Sequence, residues 1–380
     1  MTGQPIEGHV TPGFEPVLEA FQATFAAGEE LGAGFCALVE GEVVVDLQGG
    51  WADGARQRAW IADTIVPVFS TTKAVAALVV ARAIGESGGT VSYDTPVAEV
   101  WPDFAANGKA AVTLGEVLSH QAGLVGFVEE IDPDLWLDPP ALSAQLATLA
   151  PMWTPGTAHG YHPLTWGYMA GEICRRMTGR SLGTILREDI CGPAEVDFAI
   201  GLPERDHGRV VEMQRPKALP AMGPLTGDKR AAFLTRWAAP KRGGKVWKEI
   251  EIPSANGHGT ARAVARLYGI YAQRGVLHGL SGPQQVVPEP MFAELVASRT
   301  IGEDRVLPFV TEFAAGVMRN NLGLYGPNPD TLAHSGWGGS MGLGDPDRGV
   351  SAAYVMNRQS SHLQGDPRAR RLVDALYSCL

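Results

Sequence analysis

Ser70-Thr71-Thr72-Lys73 sets a hydroxyl and an amine three residues apart, at the head of a stretch dense in Ala, Val and Leu that runs to Ile84. In a helix such positions share a face, so Ser70 Oγ and Lys73 Nζ can approach hydrogen-bonding distance. A serine at a helix N-terminus also lies against unpaired N–H groups and the positive end of the dipole, which favour developing negative charge. The chemistry open to the pair is nucleophilic: a serine hydroxyl attacks well only when a neighbour takes its proton. Lysine can do this only when neutral. At an ordinary pKa of about 10.4, roughly one molecule in a thousand is neutral near pH 7.4, a deficit of about 4 kcal/mol. Burial or an adjacent cation reduces that deficit. The spacing alone also fits a helix-capping serine followed by a surface lysine, so the pair needs companions.

Two segments supply them. Trp153-Thr154-Pro155-Gly156 forms a turn, and Tyr161 then precedes a helix expected from Leu164, a position that points its phenol into a cleft. His334-Ser335-Gly336-Trp337-Gly338-Gly339 ends a strand-like segment in small residues that let another backbone come close. Two G-x-S-x-G strings, centred on Ser181 and Ser340, compete for the nucleophile. An elbow of that kind needs a strand before the serine, a helix after it, and an acid and then a histidine downstream. Ser181 follows a helix, and no helix begins after Ser340, which has only His362 behind it; neither is expected to react. His159 and His162 flank Tyr161 without a third ligand, so a pocket wall is expected rather than zinc. His120 is expected to orient a loop through its ring. For His334 two roles stay open, contact with a bound molecule or the Tyr161 hydroxyl, or shaping the strand. Trp153, Trp237 and Trp247 are candidates for a pocket lining, although aromatic residues are more often core.

The elements that must position these groups are legible in part. The chain has 380 residues, 45% hydrophobic and 19% charged, enough for a sizeable core in two or three domains or one large mixed fold. A net charge of −10 argues against nucleic acid or an anionic membrane surface as the main partner. Cys36, Cys174, Cys191 and Cys379 are widely spaced and read as free thiols. Met1 to Gly13 has no basic segment followed by an apolar one, and no apolar run approaches the roughly 18 residues of a membrane span, so the cytoplasm is expected. Phe35–Val39 and Glu42–Leu47 read as a hairpin about Glu40-Gly41, and Thr71–Ile84 as a helix stopped by Gly85, Gly88 and Gly89. Thr113–His120, Leu164–Met177 and Thr260–Gln273 are further helices. Phe313–Val317, Ala333–Gly336 and Val350–Met356 are late strands, and Asp366-Pro367 opens a closing helix to Leu376. Glu204–Lys248 lacks periodicity and is locally basic (Lys217, Lys229, Arg230, Lys241, Arg242, Lys245, Lys248); it is expected to be a solvated insertion rather than a cover over a site. No repeat of 20–50 residues is evident. An α+β fold follows, with a sheet built from both termini (1–75 plus 250–380), a mainly helical insert (76–249), and the site in the cleft between them.

With these residues in place the chain resembles the serine hydrolases of the class C β-lactamase and penicillin-binding-protein type, and most of all their family VIII carboxylesterase branch. The family's S-x-x-K, Y-x-N and K-T-G correspond to Ser70–Lys73, Tyr161-His162-Pro163 and His334-Ser335-Gly336. Leu118-Ser119-His120-Gln121-Ala122-Gly123-Leu124 is similar to its L-S-H-T-S-G-L stretch, and Thr178-Gly179-Arg180-Ser181-Leu182 also fits; the matches run in family order from about residue 30 to 375. The resemblance implies a β-lactamase-like fold, an antiparallel sheet flanked by helices, and acyl transfer through Ser70 with Lys73 and Tyr161 sharing its proton. It further implies an oxyanion hole from the N–H groups of Ser70 and Trp337, with His334 and Gly336 at the substrate. Deacylation is expected to use Tyr161 as base, with Lys73 as its cationic neighbour. Pro163 in place of the Y-x-N asparagine, His334 in place of the K-T-G lysine, and the bulk of Trp337 favour esters. The expected activity is hydrolysis of short- to medium-chain acyl esters. β-Lactamase, D-amino-acid peptidase, amide hydrolase and acyltransferase are the rivals on the same residues, and a non-catalytic binding module is the rival of another class. No metal or organic cofactor is implied; the expected partner is a small-molecule ester, not nucleic acid, and homo-oligomerisation stays open.

Overall fold

Strands from the two ends of the chain meet in one sheet whose central members, GAGFCALV and VSAAYVM, are small or apolar on both faces and so are covered on both. The computed structural model describes residues 5–241, 243–279 and 282–380; the expectations touching Met1–Gln4 and Arg242 lie outside the described residues. Glu7–Val10 (β1), Gly32–Val39 (β2) and Glu42–Gly50 (β3) come first. Glu40 and Gly41 join β2 to β3 with φ of 51° and 83°, the left-handed pair that a two-residue hairpin turn requires. A small sheet holds Val66–Pro67 (β4), Phe198–Ile200 (β5) and Gly257–Gly259 (β6), and Val276–Gly279 (β7) pairs with Gly282–Gln285 (β8). Thr300–Glu303 (β9), Val310–Phe313 (β10), Met318–Arg319 (β11), Leu332–Ser335 (β12), Met341–Asp345 (β13) and Val350–Met356 (β14) complete the large sheet. Its order is β1-β3-β2-β14-β13-β12-β11-β10-β9, with neighbours antiparallel throughout.

The central strands are buried on both faces, and residue parity decides which face each side chain serves. Phe35, Ala37, Ala352 and Tyr354 pack on Val17 and Phe21 of the helix Glu15–Ala26 and on Leu372, Val373 and Leu376 of the closing helix Pro367–Tyr377. Cys36, Leu38, Ala353 and Val355 face the other way, into a core shared with the helices Thr72–Gly85 and Ala261–Ala272. This is the expected α+β architecture, with one sheet from both termini and helices on its faces. Thr72–Gly85 is buried nearly all round, as suits a helix at the centre of a large core. It runs unbroken across the boundary expected at residue 75, and its core continues to Trp136, Trp166 and Leu186 of the helical part. No helix among the described residues is long and apolar enough to cross a membrane.

Two expectations need correction. Phe313–Val317 is not one strand: β10 ends at Phe313, a turn closed by the Ala314 N–H to the Val317 carbonyl (2.9 Å) follows, and Met318 pairs back on Phe313. Nor is Glu204–Lys248 a solvated insertion. Ala231, Ala232, Ala238 and Trp247 are buried, and Trp237 Nε1 donates to the Phe127 carbonyl (3.0 Å). These apolar residues follow the curved wall of a cleft rather than a flat layer, and so show no regular period. The helix Glu15–Ala26 and the strand Met341–Asp345 went unmarked in the sequence; in the latter, glycines at alternate positions hide the pattern.

Candidate active site

Ser70 stands where β4 gives way to the central helix. The Val68 N–H donates to the Gly257 carbonyl (2.8 Å), and the chain then turns through Phe69 at φ 48°. A positive φ is strained for an aromatic residue, and such strain collects at functional turns. The Thr72 N–H to the Phe69 carbonyl (2.9 Å) and the Lys73 N–H to the Ser70 carbonyl (3.0 Å) start the helix, so Ser70 and Lys73 share its first turn. Tyr268 and Tyr271 of the helix Ala261–Ala272 fasten that turn, their hydroxyls donating to the carbonyls of Thr71 (2.8 Å) and Ala74 (2.7 Å).

Lys73 is fully buried, its Nζ 3.4 Å from Ser70 Oγ, 2.8 Å from the Pro163 carbonyl and 3.0 Å from the Ser254 carbonyl. No carboxylate among the described residues pairs with it, and burial pulls its pKa well below the ordinary lysine value. Nζ lies 4.7 Å from the centre of the Tyr161 ring. Tyr161 stacks on Phe313 (6.2 Å between centroids, 12° between planes) and its N–H donates to Asp304 Oδ1 (3.0 Å). Burial raises its phenol well above the usual range, with the hydrogen bond to Ser70 pulling the other way. The site therefore brings Ser70, Lys73 and Tyr161 together, and burial favours a neutral amine beside a neutral phenol over an ammonium beside a phenolate.

The histidines near Tyr161 are braces. His162 donates from Nδ1 to the Gly160 carbonyl (2.6 Å) and accepts the Leu124 N–H at Nε2 (2.9 Å), while His120 Nδ1 accepts the His162 N–H (3.1 Å). His159 lies between the hydroxyls of Thr300 (2.8 Å) and Thr311 (2.9 Å). The expectation that His159 and His162 line a pocket fails, because both rings are turned into backbone and threonine contacts. His334 donates from Nδ1 to the Ser335 carbonyl (2.8 Å), and its ring lies 5.9 Å from that of Tyr161. No group of three or more His, Cys, Asp or Glu among the described residues is arranged to hold a metal ion.

Burial pulls His162, His258 and His334 down to about 3. In the unfolded chain each takes a proton below about pH 6.5 that the folded protein refuses, so stability is lost as pH falls from there towards 3. Each contributes at most about 4–5 kcal/mol of this loss. Glu30 opposes it: burial, against Arg368, lifts its carboxyl to about 7, so it costs stability as pH rises from 4.5 to 7. Three groups outweigh one. Tm is expected to fall steadily below about pH 6.5, before the carboxylates titrate. A Tm that stays flat from pH 7 to pH 4.5, followed by scanning calorimetry, contradicts this.

Two apolar pockets meet at Ser70. One is walled by Phe69, Leu164, Ala232, Ala238 and Trp247, the other by Tyr161, Leu307, Phe309, Met318 and His334. Phe233 and Trp337 border both, their rings 6.0 Å apart, and among the described residues neither lining includes Lys or Arg. Of the three candidate tryptophans only Trp247 lines a pocket here. Trp153 and Trp237 are held elsewhere by Nε1 bonds to the carbonyls of Ala158 (2.9 Å) and Phe127 (3.0 Å). β12 runs so close to the Ser70 turn that a Cβ on Gly336 would overlap Ser340 Oγ and the Val68 carbonyl. Gly336→Ala is thus expected to lower kcat at least about tenfold and to cost about 1–3 kcal/mol. Unchanged kcat and Tm would mean that the strand can move aside freely.

Both rival serines are fixed in structural roles. Ser340 Oγ is buried and donates to the Val68 carbonyl (2.8 Å), and Ser181 caps a short helix and donates to Glu251 Oε1 (2.6 Å). Sequence reasoning missed Asp304, whose Oδ1 accepts the N–H groups of Tyr161, Val306 (2.8 Å) and Leu307 (2.8 Å), and Ser254, whose carbonyl holds Lys73. Neither sits in a motif; only the tertiary contact marks them.

A Beta-lactamase family model matches residues 18–377. The chain belongs to that family and is a serine hydrolase of β-lactamase-like fold. It is 35% identical to the Esterase/beta-lactamase LipL of Mycobacterium tuberculosis over 95% of this chain and 85% of that protein. Among solved structures it is similar to a penicillin-binding protein homolog from Caulobacter crescentus (49% identity, TM-score 0.95, 99% of this chain and 100% of that one). It is also similar to a family VIII carboxylesterase (38% identity, TM-score 0.92, 99% and 100% coverage).

Proposed function

We propose that the protein is a carboxylesterase that hydrolyses short- to medium-chain acyl esters through an acyl-enzyme on Ser70. The observation that carries this reading is the setting of Lys73. A neutral amine has two N–H bonds and one lone pair. The carbonyls of Pro163 and Ser254 accept the two N–H bonds, which leaves the lone pair for the Ser70 O–H. Ser70 Oγ attacks the ester carbonyl as Lys73 takes its proton, and the N–H groups of Ser70 and Trp337 receive the developing oxyanion. On collapse, Tyr161 gives its hydroxyl proton to the departing alkoxide and recovers one from Lys73. Water then attacks the acyl-enzyme, its proton passing through Tyr161 to Lys73, and Ser70 leaves reprotonated. Tyr161 thus works as a relay rather than as the deacylation base expected beside a cationic Lys73, because its burial opposes a resting negative charge.

The two pockets suit an apolar acyl chain and an apolar alcohol, one on each side of Ser70. His334, neutral at working pH, gives a β-lactam carboxylate no positive partner. The similar family VIII carboxylesterase supports the same choice, whereas the relative named Esterase/beta-lactamase carries both activities in its name. The test compares kcat/KM for p-nitrophenyl butyrate, nitrocefin and a D-alanyl anilide, with intact-mass mapping of a phosphonate probe. The butyrate is expected to lead by at least about 10², a margin of at least about 2.7 kcal/mol in barrier, with the label on Ser70. Nitrocefin or the anilide hydrolysed equally well would overturn the ester reading.

A further inference from the structure

The net charge of −10 conceals a division within the chain. Residues 213–248 carry nine Lys and Arg against the single Asp228, a formal +8, so the remainder carries −18. The same segment covers the cleft. Ala232, Phe233, Ala238 and Trp247 turn inward onto the pocket beside Ser70. Their chain neighbours Arg230, Leu234, Lys241, Lys245 and Val246 are exposed, as are Arg215 and Lys217. Leu219, Leu225, Leu234 and Val246 are among the most exposed large apolar side chains of the described residues, at 75%, 54%, 40% and 50%. Arg236 and Lys245 are spent on Glu130 and Glu204, whereas Arg215, Lys217, Arg230 and Lys241 form no ion pair among the described residues.

Exposed leucines interleaved with unpaired cations are what a peripheral lipid-binding surface presents: the apolar groups enter the headgroup boundary while the cations meet anionic lipid. We propose that segment 213–248 docks the protein on an anionic lipid surface, with the mouth of the Ser70 cleft facing it. The acidic remainder does not prevent this, because at physiological ionic strength charges beyond about 8 Å are largely screened. A neutral surface would leave the cations without partners, and a nucleic acid would leave the leucines in water. Binding of this kind needs no turnover, so it stands or falls separately from the ester reading.

The experiment is flotation of the full-length protein with phosphatidylglycerol–phosphatidylcholine vesicles and with phosphatidylcholine vesicles, at low and high salt. Wild type is expected to float with the anionic vesicles only, and less at high salt. The triple variant Lys217→Glu, Arg230→Glu, Lys241→Glu is expected to lose at least about tenfold in partitioning while hydrolysing a water-soluble ester at the wild-type rate. Leu219→Ser with Leu225→Ser is expected to weaken flotation without removing its salt dependence. Equal flotation with both vesicle types, no flotation at all, or displacement from the vesicles by a DNA duplex would each overturn the proposal. The salt dependence of the wild type keeps the test decisive even if a variant fails to fold.

Discussion

Ser70→Ala is expected to abolish ester turnover, with kcat falling by at least about 10⁴ because the loss of a nucleophile removes the whole covalent route. What survives is the weak assistance of the oxyanion hole and of binding. The fold should be indifferent to the change. Ser70 Oγ caps nothing, its helix is started by backbone bonds from Thr72 and Lys73, and Tyr268 and Tyr271 hold the turn from behind. Tm should therefore stay within the range of a surface substitution, about ±0.5 kcal/mol of stability. The check is p-nitrophenyl butyrate hydrolysis by both proteins at equal concentration, with unfolding curves beside it. Retained activity would have to come from another serine. The two candidates raised by the sequence are disqualified by contact, Ser340 by its bond to the Val68 carbonyl and Ser181 by its bond to Glu251. Activity in the variant would thus remove the mechanism altogether.

Lys73→Met should lower kcat by at least about 10³ and Tyr161→Phe by about 10², and the order matters more than the size. Lys73 is the net proton acceptor in this mechanism, whereas Tyr161 passes protons on, a task that water can partly replace. Both variants keep the surrounding packing. Methionine follows the lysine stem, and phenylalanine keeps the stack on Phe313 and the N–H bond to Asp304. The pH profile separates the two roles. Lys73 must be neutral to act, so kcat/KM rises as pH rises through its lowered pKa. That acid limb should persist in Tyr161→Phe and disappear in the residual activity of Lys73→Met. A larger loss in Tyr161→Phe, or an acid limb that vanishes with the tyrosine, would make Tyr161 the base.

How much of this was legible beforehand follows from the range of each interaction. The spacing of Ser70 and Lys73, the helix that carries them, the β2–β3 hairpin and the closing helix capped by Asp366 are local facts, written within a few residues. The close approach of β12 was also readable, because Gly336 announces it. The segment 204–248 was misread because its inward residues follow no helical or strand period. The histidines about Tyr161 were misassigned because their rings take partners from other segments: Leu124 for His162, Thr300 and Thr311 for His159.

By itself the sequence determined which atoms could react, in what order they lie on the chain, and that both termini build one sheet. Long-range packing alone buries Lys73 between two carbonyls with no acid beside it among the described residues, and brings apolar walls from distant segments together over Ser70. The reason is physical. Helical spacing is fixed by bonded geometry, whereas a pKa and a pocket depend on everything packed within several ångströms, most of it far away in sequence.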